Sequence, residues 1–157
     1  MTNRIDRTLS RLIERRKTAV IPFLTVGFPD VETTIALAKA IIEAGADALE
    51  LGVPFSDPLA DGPTIQMTSS KALQQGVNVT TCLEVVCRLR TDGITTPIVL
   101  MGYYNPFLKY GLENFVNHAA KVGVDGFIIP DLPAEESEPF LMLCESQEQY
   151  LIPFFAP

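Results

Sequence analysis

Short apolar segments alternate with longer amphipathic segments along this chain, and that alternation constrains the fold more than any other feature. Segments rich in β-branched and aromatic residues predict five buried strands, at residues 18–26, 47–52, 97–102, 126–130 and 150–155. Helical spacing of apolar residues predicts five helices, at residues 32–44, 64–75, 81–90, 112–122 and 137–147. Strands that alternate with helices form parallel sheets with right-handed crossovers. We therefore expect a single α/β domain over residues 1–157.

Capping and turn residues mark several of these boundaries. Asp30 is expected to cap the first predicted helix, because a carboxylate there accepts the free backbone N–H groups of the first turn. Gly45, Gly76 and Gly123 each follow a predicted helix and are expected to end it. Residues 103–106 (YYNP) predict a turn after the third strand.

A weak internal repeat supports the use of one structural unit twice. Residues 43–49 and residues 121–127 each contain a helix end, a glycine, an aspartate and the start of a strand. The aspartates are Asp47 and Asp125. A repeated helix–strand unit of this kind is typical of α/β architectures built from similar units.

Two parallel-sheet architectures compete, the doubly wound sheet and the (β/α)8 barrel of TIM type. A doubly wound sheet usually has a glycine-rich first turn, whereas residues 27–30 read GFPD, and the sequence contains neither G-x-G-x-x-G nor G-x-x-x-x-G-K-[ST]. A barrel carries its chemistry at the carboxyl ends of its strands. The polar and aromatic candidates cluster there: Phe23, Thr25, Glu50, Tyr103, Asn105 and Asp131. This distribution favours the barrel.

The composition excludes several classes of function. Acidic residues outnumber basic residues by 19 to 12, and the net charge of -7 disfavours nucleic-acid and anionic-membrane binding. The apolar stretches are shorter than the roughly 18 residues of a membrane helix, and residues 1–17 lack the apolar core of a signal peptide. Cys82, Cys87 and Cys144 lie in helical patterns and predict buried free thiols of a reducing compartment, so we expect a cytoplasmic protein.

Glu50 is the most informative single residue. It interrupts the apolar strand segment ALEL, and a parallel strand is usually buried on both faces. Burial of an unpaired carboxylate raises its pKa, and a carboxyl with a raised pKa can donate and accept protons near neutral pH. The structural alternative is a glutamate at the exposed end of the strand, or one paired with a cation.

Asp61 is the second candidate. It lies in SDPLADGP, residues 56–63, a proline-rich loop that directly follows the strand of Glu50. A carboxylate at the strand end and another on the next loop can face each other across a pocket. The alternative is ordinary turn or capping chemistry, since Asp before Gly is common in turns.

The remaining polar and aromatic candidates have simple structural alternatives. Tyr103 has a flat face and a hydroxyl suited to an aromatic ligand, but it also begins the predicted turn. Phe23 suits the core, Asp131 a cap or turn, and His118 a half-buried helical position. The carboxylates lack His or Cys at metal-ligand spacing, which predicts no metal.

Four blocks of this sequence resemble the tryptophan synthase α subunit family. The most specific is LELGVPFSDPLADGP at residues 49–63; the others are PFLTVGFP at 22–29, MGYYNP at 101–106 and PDLP at 130–133. They occur in the family's order and span nearly the whole chain. The resemblance implies a (β/α)8 barrel and a lyase of tryptophan biosynthesis, which cleaves indole-3-glycerol phosphate to indole and glyceraldehyde 3-phosphate.

The resemblance also implies roles for individual residues. Glu50 would be the general acid–base that moves protons between indole C3 and the glycerol hydroxyl, and Asp61 would accept the indole N–H. The residues that match the indole pocket of the family are Phe23, Met101, Tyr103 and Ile128. The residues that match its contact with the β subunit in an α2β2 heterotetramer are Pro54, Phe55 and Asp57. In this family the β subunit holds pyridoxal phosphate, and the α subunit uses no cofactor.

The length of the chain limits what the resemblance implies. A (β/α)8 barrel takes about 250 residues, so 157 residues correspond to roughly five of its eight βα units. We expect the family's phosphate-binding residues and its mobile loop after strand six to lie outside this sequence. Two hypotheses stay open: a lyase that uses Glu50 and Asp61, or an inactive truncated chain that folds or associates with a β subunit or with itself. A third hypothesis is a barrel that binds a different phosphate ligand. It would need another explanation for the family motif at residues 49–63.

Overall fold

Five parallel strands form one sheet in the order β1-β2-β3-β4-β5, in a computed structural model that describes residues 3–154. The strands are β1 (Phe23–Thr25), β2 (Leu49–Gly52), β3 (Ile98–Met101), β4 (Gly126–Ile128) and β5 (Tyr150–Ile152). The helices are α1 (Arg4–Glu14), α2 (Val31–Glu43), α3 (Pro63–Gln74), α4 (Val79–Thr91), α5 (Tyr104–Tyr110), α6 (Leu112–Val122) and α7 (Glu138–Ser146), with a 3-10 turn at Ala134–Glu136. Each strand pairs with the next along the chain, which confirms the predicted α/β fold.

The five predicted helices are all present, and two of their predicted caps act as expected. The Asp30 carboxylate accepts the backbone N–H of Thr33 at 2.7 Å at the start of α2. Gly123 ends α6 in the left-handed conformation, with φ at 93°, which a residue without a Cβ adopts readily. Local capping chemistry therefore fixes these boundaries.

The strands are shorter than the sequence predicts. The predicted first strand, residues 18–26, is reduced to Phe23–Thr25. Pro22 immediately before it has no N–H to donate, although its carbonyl still accepts the N–H of Glu50 at 2.9 Å. The last strand ends at Ile152, and Phe155, at the end of the prediction, lies outside the described residues.

Two helices were not predicted, α1 and α5. The turn predicted at residues 103–106 is wrong, because α5 begins at Tyr104. Pro106 is tolerated there, since an N–H in the first turn of a helix has no partner within the helix. Asp131, on the loop after β4, accepts the N–H of Tyr104 at 2.9 Å, which confirms its interpretation as a capping residue. The cap comes from a distant segment, so the local sequence does not reveal it.

The two faces of the sheet have different environments. The residues that face the helices are buried and apolar, and Leu51, Leu100 and Phe127 share one register and are 0% exposed. The next register row holds Phe23, Glu50, Val99, Gly126 and Tyr150. Because side chains alternate between faces, this row lies on the opposite side, which we call the inner face.

The aspartates of the weak internal repeat do play equivalent structural roles. At the start of β2, Asp47 exchanges hydrogen bonds with the backbone of Val20, and its carboxylate accepts the Val20 N–H at 3.0 Å. At the start of β4, Asp125 does the same with Ile98, whose N–H it accepts at 2.8 Å. Each carboxylate thus ties the entry of its own strand to the entry of the preceding one.

Asp125 differs from Asp47 because it is also the centre of a buried ion-pair network. Its carboxylate pairs with Arg4 of α1 at 2.9 Å and with Arg90 of α4 at 2.7 Å, and its side chain is 3% exposed. Burial lowers the pKa of Arg90 to about 10, while the charge of Asp125 opposes that shift. The Arg90 guanidinium also donates to the backbone oxygens of Gly123, Ile94 and Thr96.

The three thiols are free, but they are not equally buried. Cys82 and Cys144 are 0% exposed, and burial raises the pKa of Cys144 to about 12. Cys87 is exposed, so its predicted burial is wrong; it lies on the outer side of α4. Among residues 3–154 no helix is long and apolar enough to cross a membrane.

Candidate active site

The predicted pocket residues lie on the same face of four adjacent strands. Phe23 of β1 is in register with Glu50 of β2, and Met101 of β3 is in register with Ile128 of β4. All four lie on the inner face of the sheet and are half-buried. The structure therefore brings a carboxyl group together with an apolar and aromatic wall.

Glu50 is held by β2, and its side chain lies on the inner face of the sheet. It is half-buried, and within residues 3–154 the structure gives its side chain no hydrogen bond or ion pair. Burial raises the pKa of Glu50 above its ordinary value. A half-buried carboxyl with a raised pKa is suited to take up and release a proton near neutral pH. The sequence prediction of a buried, unpaired Glu50 agrees with this geometry.

Asp61 lies on the loop between β2 and α3, where Tyr103 contacts it. The Tyr103 hydroxyl accepts the backbone N–H of Ala60 at 2.9 Å and donates to the Asp61 carboxylate. Burial raises the pKa of Asp61, and the hydrogen bond from Tyr103 opposes the rise. The aromatic ring of Tyr103 is buried, so its hydroxyl fixes both the loop and the carboxylate.

Tyr103 combines both interpretations that the sequence left open. It is the residue that precedes the first turn of α5, which is a structural position. Its side chain nevertheless projects toward the loop of Asp61, and burial together with the charge of that carboxylate raises the pKa of its hydroxyl. The ring also packs against Phe55, with 5.4 Å between ring centroids.

Gly52 is a site feature that sequence reasoning missed. A Cβ at this position would overlap the Phe23 ring, whose Cε2 atom would be only 2.7 Å away. The missing side chain lets the tip of the Phe23 ring approach the backbone at the end of β2. The only signal in the sequence is the glycine that ends the motif LELG. A glycine there is equally well explained as the end of a strand.

A buried pair of hydroxyl groups was also missed. Thr25 at the end of β1 and Thr68 of α3 approach to 2.7 Å and are each 7% exposed. Thr68 in turn donates to the carbonyl of Ile65. This pair ties α3, which follows the Asp61 loop, to the end of the first strand.

The segment predicted to contact a partner borders an open groove. Pro54 is buried, whereas Asp57 is exposed and accepts a hydrogen bond from the neighbouring Ser56. Together with Phe55, these residues line a cavity of about 570 Å³ that extends to Asn105 and Lys109 on α5.

Two candidates do not belong to the site. Asp131 caps α5, as described above. His118 lies half-buried on α6, where its Nδ1 atom is 2.7 Å from the Tyr110 hydroxyl. Its predicted helical, half-buried position is confirmed, and it is separate from Glu50 and Asp61.

Comparison with known sequences finds one family. The family model described as "Tryptophan synthase alpha chain" matches residues 9–157. The chain is 48% identical over 155 residues to the tryptophan synthase alpha chain of Chloroflexus aggregans, covering 99% of this chain and 58% of the relative. It is 45% identical over 157 residues to the tryptophan synthase of Saccharomyces cerevisiae, covering 22% of that protein. The chain spans 58–59% of the length of the first two bacterial alpha chains it matches.

Comparison with solved structures gives the same result. The tryptophan synthase subunit alpha of Legionella pneumophila superimposes with a TM-score of 0.94 at 40% identity, over 96% of this chain and 58% of that one. A tryptophan synthase structure from M. tuberculosis superimposes with a TM-score of 0.93 at 35% identity, over 100% of this chain and 62% of that one. These similarities confirm the predicted barrel-type α/β fold. They do not favour the alternative of an inactive association unit.

Proposed function

The chain belongs to the tryptophan synthase alpha chain family, and from that premise we propose that it contributes the acid–base centre of a carbon–carbon lyase. The reaction is the cleavage of indole-3-glycerol phosphate to indole and glyceraldehyde 3-phosphate. The observation that carries the proposal is the half-buried, unpaired carboxyl of Glu50 on the inner face, with its raised pKa.

Glu50 serves both proton transfers of this cleavage. In its protonated form it donates a proton to C3 of the indole ring, and its carboxylate then takes the proton of the glycerol hydroxyl as the carbon–carbon bond breaks. The hydroxyl oxygen becomes the aldehyde oxygen, and the bond electrons return to the ring. One proton enters and one leaves, so the carboxyl ends in its starting state. A pKa raised by burial supports this cycle, because both forms are accessible near neutral pH.

Asp61 stabilises the charge that develops on the ring. Protonation at C3 leaves positive charge at the indole nitrogen, and a carboxylate that accepts its N–H opposes that charge. The Tyr103 hydroxyl supports the role, because it donates to Asp61 and holds the loop through the Ala60 N–H. Phe23, Met101 and Ile128 supply the apolar wall against which a flat ring packs.

The test is the release of indole by the purified chain, alone and with the remaining C-terminal part of the Chloroflexus aggregans relative added. Glu50→Gln keeps the size of the side chain and removes its acid–base function, so indole release should fall by about 10²-fold or more. Glu84→Gln, an exposed position on α4, is the matched control and should leave the rate unchanged. Equal rates for the Glu50 variant and the parent would remove Glu50 from the mechanism.

We propose that the segment with Pro54, Phe55 and Asp57 contacts the β subunit of tryptophan synthase. The support is the match of this segment to the family and the open groove beside it, of about 570 Å³. The experiment is analytical size exclusion of the chain mixed with a purified β subunit. Asp57→Lys reverses an exposed charge and should weaken co-elution, whereas Glu113→Lys on α6 is the control. Undiminished co-elution of the Asp57 variant would refute this contact.

A further inference from the structure

Helix α1 lies across the inner face near the amino ends of the strands. With the strands it lines a partly open chamber of about 230 Å³ that reaches Glu50. On the α1 side Ile5, Thr8 and Leu9 line the chamber, and on the sheet side Glu50 and Val99 do so. Ile5 lies close to Gly126 of β4, because a Cβ built on that glycine would be in van der Waals contact, at 3.4 Å, with the Ile5 Cδ1 atom. The helix thus sits close beneath the strand row that carries the candidate acid–base residue.

The chamber is lined almost wholly by apolar groups. Asp47 is the one other ionisable residue in its lining, and its carboxylate is bonded to the backbone N–H of Val20 at the entry of β2. The residues that line it from α1 and from β3, β4 and β5 carry no charge. Nothing in this lining stabilises an ionised Glu50, and its pKa is raised by burial alone.

The position of α1 is fixed by contacts to the two strands farthest from it in sequence. The Asn3 side chain donates to the carbonyls of Asp125 at 2.9 Å and Glu148 at 2.8 Å, and Arg4 pairs with the Asp125 carboxylate. In the same first turn, Asp6 accepts a hydrogen bond from the Tyr150 hydroxyl at 2.8 Å. The helix is therefore held to the entries of β4 and β5, and it cannot shift away without breaking several polar contacts.

We propose that α1 positions the acid–base centre, with Ile5 and Leu9 as positioning residues that hold an apolar cover beneath the Glu50 carboxyl. This cover shields the Glu50 carboxyl from solvent on the side of the inner face where α1 lies. The catalytic meaning of the cover rests on the proposed role of Glu50. The cover itself is a property of the folded chain, and its effect on the pKa of Glu50 can be measured without an activity assay.

The experiment follows the protonation of Glu50 directly. The whole chain is labelled with ¹³C at the glutamate side-chain carboxyls, and comparison with Glu50→Gln identifies the Glu50 resonance. Its pKa is then measured in the parent, in the double variant Ile5→Ala/Leu9→Ala, and in Ile13→Ala. Ile13 is on the same helix, is 75% exposed and lies outside the chamber lining, so it is the matched control.

Truncation of the cover admits water beneath the carboxyl, so the pKa of Glu50 should fall by about half a unit or more in the double variant. It should stay unchanged in Ile13→Ala. A folded double variant whose Glu50 pKa lies within about 0.2 unit of the parent would overturn the proposal.

A second variant decides the question if the double variant does not fold. Ile5→Ala alone removes part of the apolar cover and leaves Leu9 in place. It should lower the pKa of Glu50 relative to the parent, and an unchanged or higher pKa would refute the inference. Failure of the proposed function is a separate result, because it appears as undiminished indole release in Glu50→Gln.

Discussion

Asp125→Asn is the sharpest test of what holds this sheet together. The Asp125 side chain is 3% exposed, and three donors converge on its two oxygens: Arg4, Arg90 and the backbone N–H of Ile98. An asparagine side chain has the same shape, but it carries one acceptor oxygen and no charge. One of the donors must then face an amide N–H, and the Arg90 guanidinium, with 12% of its side chain exposed, loses its counter-charge.

The expected loss in the free energy of unfolding follows from the burial of this ion pair. Removal of one partner from a buried ion pair costs about 3–5 kcal/mol, because the remaining charge is left uncompensated. In a domain of this size each kcal/mol lowers the melting temperature by about 2–4 °C. We therefore expect the melting temperature of Asp125→Asn to fall by about 6–20 °C.

The assay is urea unfolding followed by far-UV circular dichroism, with thermal melts as a second measurement. The matched control is Glu32→Gln. The Glu32 carboxylate pairs with Arg88 and accepts two hydrogen bonds from its guanidinium, at 2.6 and 2.7 Å. That pair is exposed, at 48% and 74%, so its loss should leave the unfolding midpoint nearly unchanged. A loss of less than about 1 kcal/mol for Asp125→Asn would refute the argument from burial.

Three further substitutions probe the site. Glu50→Gln should stabilise the fold relative to the parent at pH 7 but not at pH 4. A carboxyl whose pKa is raised on folding destabilises the native state when it is ionised, and glutamine removes that charge. Equal effects at both pH values in urea unfolding would contradict the raised pKa. Tyr103→Phe should raise the pKa of Asp61, since it removes the hydrogen bond that opposes the rise; carboxyl NMR titration measures this, and an unchanged value would disprove the contact. Gly52→Ala should destabilise by about 1–3 kcal/mol, because the new methyl group overlaps the Phe23 ring; urea unfolding indistinguishable from the parent would show that the ring moves freely.

The sequence predicts the elements whose signals are local. Asp30 and Gly123 mark helix boundaries through their own backbone chemistry, and the structure confirms both. The position of Glu50 on an apolar strand could also be predicted, because a single charged residue within a buried strand is rare and has few structural causes.

The features that the sequence missed depend on distant partners. Helix α5 is capped by Asp131, which lies 27 residues from Tyr104, so YYNP alone reads as a turn. Helix α1 is the exception, because its apolar residues recur at helical spacing and Asn3 caps its start, so its signal is local. Only its position against the sheet depends on distant contacts, such as that of Asp6 with Tyr150. The exposed position of Cys87 depended on which side of α4 meets the core, and the simple rule that free cysteines are buried was wrong there.

The cap that Asp131 provides has a mechanical consequence for the rim of the site. It ties the loop after β4 to the first turn of α5. The preceding residue, Tyr103, reaches back to the Ala60 N–H on the loop after β2. Three successive loops are thus linked in series by hydrogen bonds, so the loop that carries Asp61 is anchored through Tyr103 to the segment after β4. The position of the rim therefore depends on contacts between neighbouring loops.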